Sequence, residues 1–395
     1  MDGAVKTLVE LYDKEAVENV LGACIFEPEM VVYICDERDS SMRKETAVDR
    51  LFKSRGLRSR ARFYYIDTSD PARIHRTLEA VVRDYPGCVF DCTGGKDLVL
   101  LAAGVFCREK GLPAYYIDTQ RAKFVDLGGC KALKSRFRLP QLTAEDIFSI
   151  AGARLVGSGH FAVEELGEEL ENDARRIWPV VFRDPAAWGK LVGFFQAAGD
   201  SGQGLSVDAP HTLRVNRQTT AVYQPQLLHE LEDMGVIHGL RITQKRVRFS
   251  YKSALMRRCL QNHGVWLELY GYLCARRSGA FGDVRTSVVV DWDNARGDDQ
   301  ATRNEIDILL VQGITPVFIS CKMGAPTPLA LSEIRLLSEK FGGESTRTVL
   351  LTAADVRERE RALVQRARDL GVLLIDRPIL ARGDLEHDFC RALRL

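Results

Sequence analysis

Two short runs carry the residue types that phosphodiester chemistry needs: Asn304-Glu305-Ile306-Asp307, and further on Phe318-Ile319-Ser320-Cys321-Lys322. Alternate side chains of a β-strand share a face, so Glu305 and Asp307 point one way while Ile306 and Ile308 point the other. On the second run Ser320 and Lys322 share a face opposite Ile319. Gly313 and Pro316 mark a turn between the runs, and a hairpin of this length sets Asp307 beside Lys322. Hydrolysis of a phosphodiester needs hard oxygen ligands for Mg²⁺ or Mn²⁺ and a charge near the attacking water. Asp307 is the natural ligand, and the Cys321 carbonyl is a second. Lys322 is the group to position the water or to steady the charge that develops on the phosphoryl group. The plain alternative is a surface strand pair with one salt bridge.

Glu268 adds a third acid. Its helical neighbours Gly264, Val265, Gly271 and Tyr272 are uncharged. A carboxylate on such a face is costly unless it is paired or bound to metal. It is read either as a metal ligand or as a buried acid held by an arginine. Asp291 and Asp293, in VVVDWDN, are further acids, and the place of Asp291 at a strand end favours a turn role.

A second constellation lies near the N-terminus, where Val89–Lys96 reads VFDCTGGK. A strand delivers Asp91, then Thr93-Gly94-Gly95-Lys96, then a helix over Asp97–Cys107. Backbone N–H groups at a helix start attract anions, and glycines let a ligand approach the main chain. With the Thr93 hydroxyl and the Lys96 ammonium, the chemistry suits phosphate or nucleotide. The loop is neither GxxxxGK[ST] nor GxGxxG. An ordinary tight strand-to-helix turn accounts for the same residues.

These motifs carry a resemblance. A Rossmann-like domain with (D/N)xTGGxK after its fourth strand resembles a CARF domain, the sensor of type III CRISPR defence, and the opening VKTLVELYDKEAVENVLG is similar too. The segment NEIDILL…PVFISCK, followed by LALSEIRLLSEKFGG, resembles the PD-(D/E)XK nuclease domain of CARF-linked CRISPR ancillary nucleases of the Card/Can type. The resemblance implies an activator bound across a two-fold axis of a homodimer: a cyclic oligoadenylate, cyclic tetra-adenylate ahead of cyclic hexa-adenylate. Its site would comprise Glu10, Asp13 and Lys14 after the first strand, with Asp91, Thr93, Gly94, Gly95 and Lys96. It further implies a Mn²⁺- or Mg²⁺-dependent endonuclease acting on single-stranded DNA, on RNA or by nicking duplex DNA. The catalytic set would be Glu268, Glu305, Asp307 and Lys322, with Asp307, Glu268 and Cys321 at the metal. Two departures stand out. Lys96 follows the second glycine directly, and Ser320 occupies the position of the (D/E)XK acid, which Glu305 or Glu268 would have to fill.

Around these sites the chain reads as α/β. Residues 1–140 alternate strands (Val5–Val9, Met30–Cys35, Ala61–Asp67, Cys88–Cys92, Ala114–Asp118) with helical patterns, which argues for a parallel sheet covered on both faces. Lys123–Leu127 adds a hairpin strand. Residues 141–255 form a linker and a winged-helix-like region: Thr143–Trp178 looks largely helical, GDSGQG at 199–204 breaks the chain, and Gln224–Met234 precedes two alternating runs, Gly239–Thr243 and Arg246–Tyr251. Residues 256–395 read as a restriction-endonuclease-like α/β domain. Its elements are a helix Leu255–Arg276, strands Ser287–Asp291, Glu305–Leu310 and Val317–Cys321, a helix Leu329–Phe341, a strand Thr346–Leu351, a helix Ala354–Leu370 and a strand Val372–Ile375.

Net charge is +1, so any basic surface must be local. One candidate is Arg241–Leu267, with seven basic residues and no acid, and with Phe249 and Tyr251 between them as bases for stacking. A solvated wing or a dimer contact explains it equally well. If the nuclease fold were inactive, the same wing would suit a ligand-sensing transcription regulator, and Ser320 is the best support for that second reading. The ten cysteines include no CxxC, and the apolar run Leu98–Cys107 is too short to span a bilayer. The expectation is a reducing cytoplasm and no membrane.

Overall fold

The computed structural model describes residues 4–14, 17–39, 42–159, 166–199, 204–215, 220–292, 303–343 and 345–393. Its first body is built from β1 (Thr7–Leu11), α1 (Glu18–Phe26), β2 (Met30–Asp36), α2 (Met42–Ser54), β3 (Arg60–Ile66), α3 (Pro71–Asp84), β4 (Val89–Asp91), α4 (Asp97–Lys110), β5 (Ala114–Asp118) and β6 (Lys123–Gly128). The strand order is β3-β2-β1-β4-β5-β6, parallel throughout except for β6, which pairs antiparallel with β5 as its hairpin spacing predicts. Strand order reverses between β1 and β4, and open parallel sheets bind ligands beyond the carboxyl ends of the strands at such a point. Helix starts follow local chemistry. At α3, Asp70 accepts the N–H groups of Ala72 and Arg73, Pro71 occupies the first turn, and Ile74, Leu78 and Val81 face the sheet.

The chain continues through α5 (Lys131–Lys134), α6 (Ala144–Ile150), β7 (Arg154–Ser158), α7 (Glu168–Arg183), α8 (Pro185–Gly199), β8 (Ser206–Pro210), β9 (Thr212–Arg214), β10 (Thr220–Val222), α9 (Pro225–Asp233), β11 (Ile237–Ile242) and β12 (Arg246–Tyr251). The wing expected after α9 forms as β11–β12, and β8 pairs on its far side. The last part comprises α10 (Ala254–Leu260), α11 (Val265–Ser278), β13 (Asp283–Asp291), β14 (Arg303–Gln312), β15 (Thr315–Lys322), α12 (Pro328–Gly342), β16 (Arg347–Thr352), α13 (Arg361–Asp369), β17 (Val372–Ile375), α14 (Arg377–Leu380) and α15 (Leu385–Ala392). Its sheet has the order β17-β16-β15-β14-β13-β7, parallel across β15, β16 and β17 and antiparallel elsewhere.

The structure corrects three sequence expectations. Thr143–Trp178 is helical over Ala144–Ile150 and from Glu168 onward, but Arg154–Ser158 between them is a strand that pairs with β13 at the edge of the second sheet. A short apolar run without strong periodicity takes the structure its neighbour offers. The helix expected over Leu255–Arg276 is two helices. Asn262 takes the N–H groups of Gly264 and Val265 on its side chain and restarts the chain as α11. The helix expected over Ala354–Leu370 begins only at Arg361, since Asp376 binds the Arg357 backbone N–H and guanidinium and holds the preceding residues in turns.

One hydrophobic cluster runs from α7 and α8 through the wing and α11 into the second sheet, joining Trp188, Phe195, Phe249 and Trp266 to Ile308, Ile319 and Leu351. Another begins under β1 with Leu8, Leu21 and Tyr115 and takes in Val311 and Ile314 of the β14–β15 turn. The turn is also hydrogen bonded to the first body's exit, Leu142 N–H to the Gly313 carbonyl and Gly313 N–H to Gln141. No helix among the described residues is long and apolar enough to cross a membrane.

Gly22 marks the tightest approach of α1 to the first sheet. A Cβ there would lie 2.5 Å from the Tyr115 hydroxyl and 2.7 Å from Asp91 Oδ2. Ala in place of Gly inside a helix ordinarily gains about 1 kcal/mol. Gly22→Ala is expected to reverse that sign and lose about 1–3 kcal/mol by overpacking, read from the urea midpoint.

Candidate active site and glycine loop

β14 and β15 place Asp307 opposite Ser320, one step beyond the Ile308–Ile319 pair. There the ladder changes partner. Asp307 Oδ2 accepts the Cys321 backbone N–H at 2.6 Å and the Ser320 hydroxyl at 3.2 Å. Lys322 Nζ stands 3.8 Å from the same oxygen, so the expected Asp307–Lys322 juxtaposition is present. The Lys322 carbonyl accepts from Ala353 on the β16 side. Backbone groups alternate along a strand, so those of Cys321 face Asp307, as its N–H demonstrates.

α11 brings Glu268 to the same place. Its side chain is 5% exposed, and Oε2 is buried without a hydrogen-bond partner. Burial pushes its carboxyl up to about 8, reinforced by Asp307 and Glu305 and opposed by Lys322. Asp307 is also raised by burial, while Lys322, the Cys321 N–H and the Ser320 hydroxyl pull it back. A buried arginine partner for Glu268, the bland reading of this acid, is not found among the described residues. Glu305 shares the Asp307 face of β14, and its charge helps to raise both Asp307 and Glu268, but it is held by its own partner. Its Oε1 accepts the Ser287 hydroxyl at 2.5 Å, and the carboxylate lies against Gly159, where a Cβ would collide with it. Ser287 has φ +56°, uncommon for a residue other than glycine. Asp291 is buried at the end of β13 with Arg154 3.9 Å away; Asp293 lies outside the described residues.

Among the described residues no three His, Cys, Asp or Glu side chains stand together as a metal-holding group. A hard divalent ion does not require three. Mg²⁺ is commonly held by one or two carboxylates, with water and substrate oxygens completing its shell. The orphan oxygen of Glu268 beside Asp307, with the main-chain groups of Cys321 on the same side, fits that requirement.

The glycine loop is fastened from below by a buried polar row. Tyr33, Glu10, Asp91 and Tyr115 are register partners on β2, β1, β4 and β5 and so share one face. Asp91 accepts the Thr93 N–H and hydroxyl and the Tyr115 hydroxyl. Thr93 Oγ1 in turn accepts the Ile117 N–H. Gly95 has φ +129°, and a Cβ there would come within 2.8 Å of Leu11. Asp13 and Lys14 lie on the loop after β1, which Asn19 holds by bonds to the Asp13 N–H and carbonyl.

Of the expected ligand residues, Glu10 and Asp91 are buried under α1, and Asp91 is bonded to the loop through Thr93. Lys96 is bound to Asp36, which also takes the Arg38 guanidinium and the Thr68 hydroxyl. These partners, Arg38 foremost, hold the Asp36 carboxyl well below the usual range despite burial. Asp36 is not among the site residues expected from sequence; the Asp-x-Arg spacing Asp36–Arg38 is the local signal for it.

Three of the seven cations of the basic stripe are paired with acids. Arg246 and Arg248 both pair with Asp208, and Lys252 pairs with Glu169 and Asp173. Phe249 and Tyr251 are core residues at 3% exposure each and are closed to base stacking. Alternation placed them on one face of β12, and that face turns inward.

Neither a family model nor a curated protein matches the sequence. Solved structures share its fold. Protein VC1899 from Vibrio cholerae superimposes with a TM-score of 0.74 at 18% identity, over 98% of this chain and 97% of that one. Can2 from Sulfobacillus thermosulfidooxidans, solved in complex with cyclic tetra-adenylate, does so with a TM-score of 0.71 at 15% identity, over 98% and 99%. At such identity the likeness is one of fold.

The Glu10–Asp91 pair sets a pH test. Burial lifts Asp91 to about 6, and burial together with Asp91 and Glu18 raises Glu10 well above its ordinary 4.5. A carboxyl raised by folding binds its proton more tightly in the folded state. Its contribution is therefore complete below the unfolded pKa and fades as pH rises through the folded one. Glu10→Gln is expected to match the parent chain near about pH 4 and to gain on it by about pH 8, measured by urea denaturation across that range.

Proposed function

We propose that the chain is a CARF-linked nuclease: a homodimer that binds a cyclic oligoadenylate, cyclic tetra-adenylate first, at the crevice above β1 and β4, and in response cuts phosphodiester bonds of single-stranded DNA or RNA or nicks duplex DNA. Residues 1–140 are assigned to the sensor, 141–255 to the linker and winged region, and 256–395 to the nuclease, which also borrows β7. The observation that carries the reading is the buried, unpartnered carboxylate of Glu268 next to Asp307 and Lys322. An acid so placed costs stability and is retained where it does chemistry. Can2, of like fold across its whole length, was solved with cyclic tetra-adenylate, which supports a ring of four.

Asp307, Glu268 and the Cys321 carbonyl would hold Mn²⁺ or Mg²⁺, which when bound supplies a Lewis acid for a phosphate oxygen. Lys322 lies beside Asp307 where it can orient the attacking water and offset the charge that builds on the phosphoryl oxygens. Ser320 ties Asp307 in place, and Glu268 takes the ligand role that Ser320 cannot. Glu305, held by Ser287, borders this set. The alternative of a duplex-reading wing is weakened by the pairing of Arg246, Arg248 and Lys252 with acids. Ligand binding can act on the nuclease only through different affinities for two arrangements. The β14–β15 turn, embedded in the first body's core, is a direct mechanical link.

A patch beside the glycine loop supports the dimer. Leu98, Leu101 and Val105 line one stripe of α4 with 37%, 67% and 50% exposure, and Leu127 adds to the apolar surface. Such a patch marks an association surface, and two-fold symmetry is the commonest way to cover it.

Asp307→Ala and Glu268→Gln should each lower metal-dependent cleavage of labelled single-stranded DNA and RNA by at least about a hundredfold. Cleavage retained by Asp307→Ala would remove that residue from the mechanism. Leu101→Glu should shift the sedimenting species from dimer to monomer and weaken the response to cyclic tetra-adenylate while leaving the fold intact.

A further inference from the structure

A cavity of about 610 Å³ lies along β17, the edge strand of the second sheet. Five arginines line it, Arg335, Arg347, Arg357, Arg368 and Arg391, and no Asp or Glu does. The chain as a whole carries only one net charge, so this is a strong local concentration. Two of the five are compensated: Arg335 by Glu339 and Arg357 by Asp376. Arg347, Arg368 and Arg391 form no ion pair among the described residues, although Asp388 feels the charge of Arg391. The Arg347 Nε is buried and has no hydrogen-bond partner.

The site is separate from the carboxylate cluster. Arg347 is in register with Val317 at the start of β15, whereas Lys322 is in register with Thr352 at its end. The cavity therefore opens towards the opposite end of the strands. Apart from Thr346, its remaining wall is made by apolar residues and a glycine, Val364, Ala367 and Leu373 among them.

We infer that this cavity is a binding site for a phosphate monoester with a compact apolar or planar organic part, such as a nucleoside monophosphate. Guanidinium groups bind phosphate through paired N–H donors. Several uncompensated arginines call for a dianion, which a single carboxylate does not supply. The apolar wall accommodates a base or a similar ring, and the volume is in the range of small-ligand pockets. Such a group comes from a free nucleotide or from the phosphorylated end of an oligonucleotide.

The test is calorimetric titration of the full-length protein at fixed ionic strength without divalent cations, with AMP, inorganic phosphate, sulfate, and a dinucleotide in 5′-phosphorylated and 5′-hydroxyl forms. AMP is expected to bind at least about tenfold more tightly than phosphate. Arg368→Gln combined with Arg391→Gln, both at exposed positions, is expected to weaken it at least about tenfold, and Arg347→Gln likewise. Preference for AMP identifies a nucleotide site, and preference for the 5′-phosphorylated dinucleotide over AMP identifies a chain-end site; either upholds the proposal. It is overturned if no probe binds better than sulfate, or if the exposed double variant binds as the parent does. Asp307→Ala should bind these probes unchanged, so failure of the nuclease reading and failure of this site are told apart.

Discussion

The pairing of β14 with β15 is the constraint on which the rest of the molecule turns. Its hydrogen-bonded ladder holds from the Gln312–Thr315 end to Ile308–Ile319 and then gives way, with Asp307 taking the Cys321 N–H that a strand carbonyl would otherwise accept. That substitution is what sets a carboxylate, a lysine and the main-chain groups of Cys321 at one point. At the other end, the turn is buried among residues of the first sheet through Val311 and Ile314 and is bonded to Gln141 and Leu142. One hairpin thus reaches from the first body to the carboxylates. A close-packed interior transmits small shifts rather than absorbing them, because its side chains have few alternative arrangements.

Both bodies bury acids, and do so differently. Under the glycine loop, Asp91 is bonded to Thr93 and Tyr115, and the neighbouring Glu10 is left with a free oxygen. The row serves as a foundation: it holds the loop's backbone where glycines can pass Leu11. In the second sheet Asp307 is bonded on one oxygen and Glu268 is unbonded on one. The same desolvation raises all four carboxyls, and what differs is which of their oxygens the neighbouring groups leave unsatisfied.

The middle of the chain shows how tertiary context redirects local signals. The wing's aromatic residues and cations sit together in the sequence as a nucleic-acid face would. In the fold, β12 is the central strand of a three-stranded sheet laid over α8, so Phe249 and Tyr251 go into the common core while Arg246 and Arg248 meet Asp208 across the strand pair. The opposite happens on β16, β17 and α13. There arginines scattered from 335 to 391 in the chain converge on one cavity that no local pattern announces.

What the sequence by itself determined are the features that depend on neighbours a few residues apart: the alternation that puts Glu305 and Asp307 on one face, the β5–β6 hairpin, the glycines before α4, and the uncharged helical turn around Glu268. These follow from fixed strand and helix periods and from steric limits on φ, which act within a few residues. What only the tertiary structure decided is which polar groups find partners. Lys96 is claimed by Asp36, Glu305 by Ser287 across a strand pair, and β7 by an edge left open on β13. Glu268 is left without one. Those outcomes rest on contacts between residues tens to hundreds of positions apart, where desolvation and pairing compete over a distance that no periodicity reports.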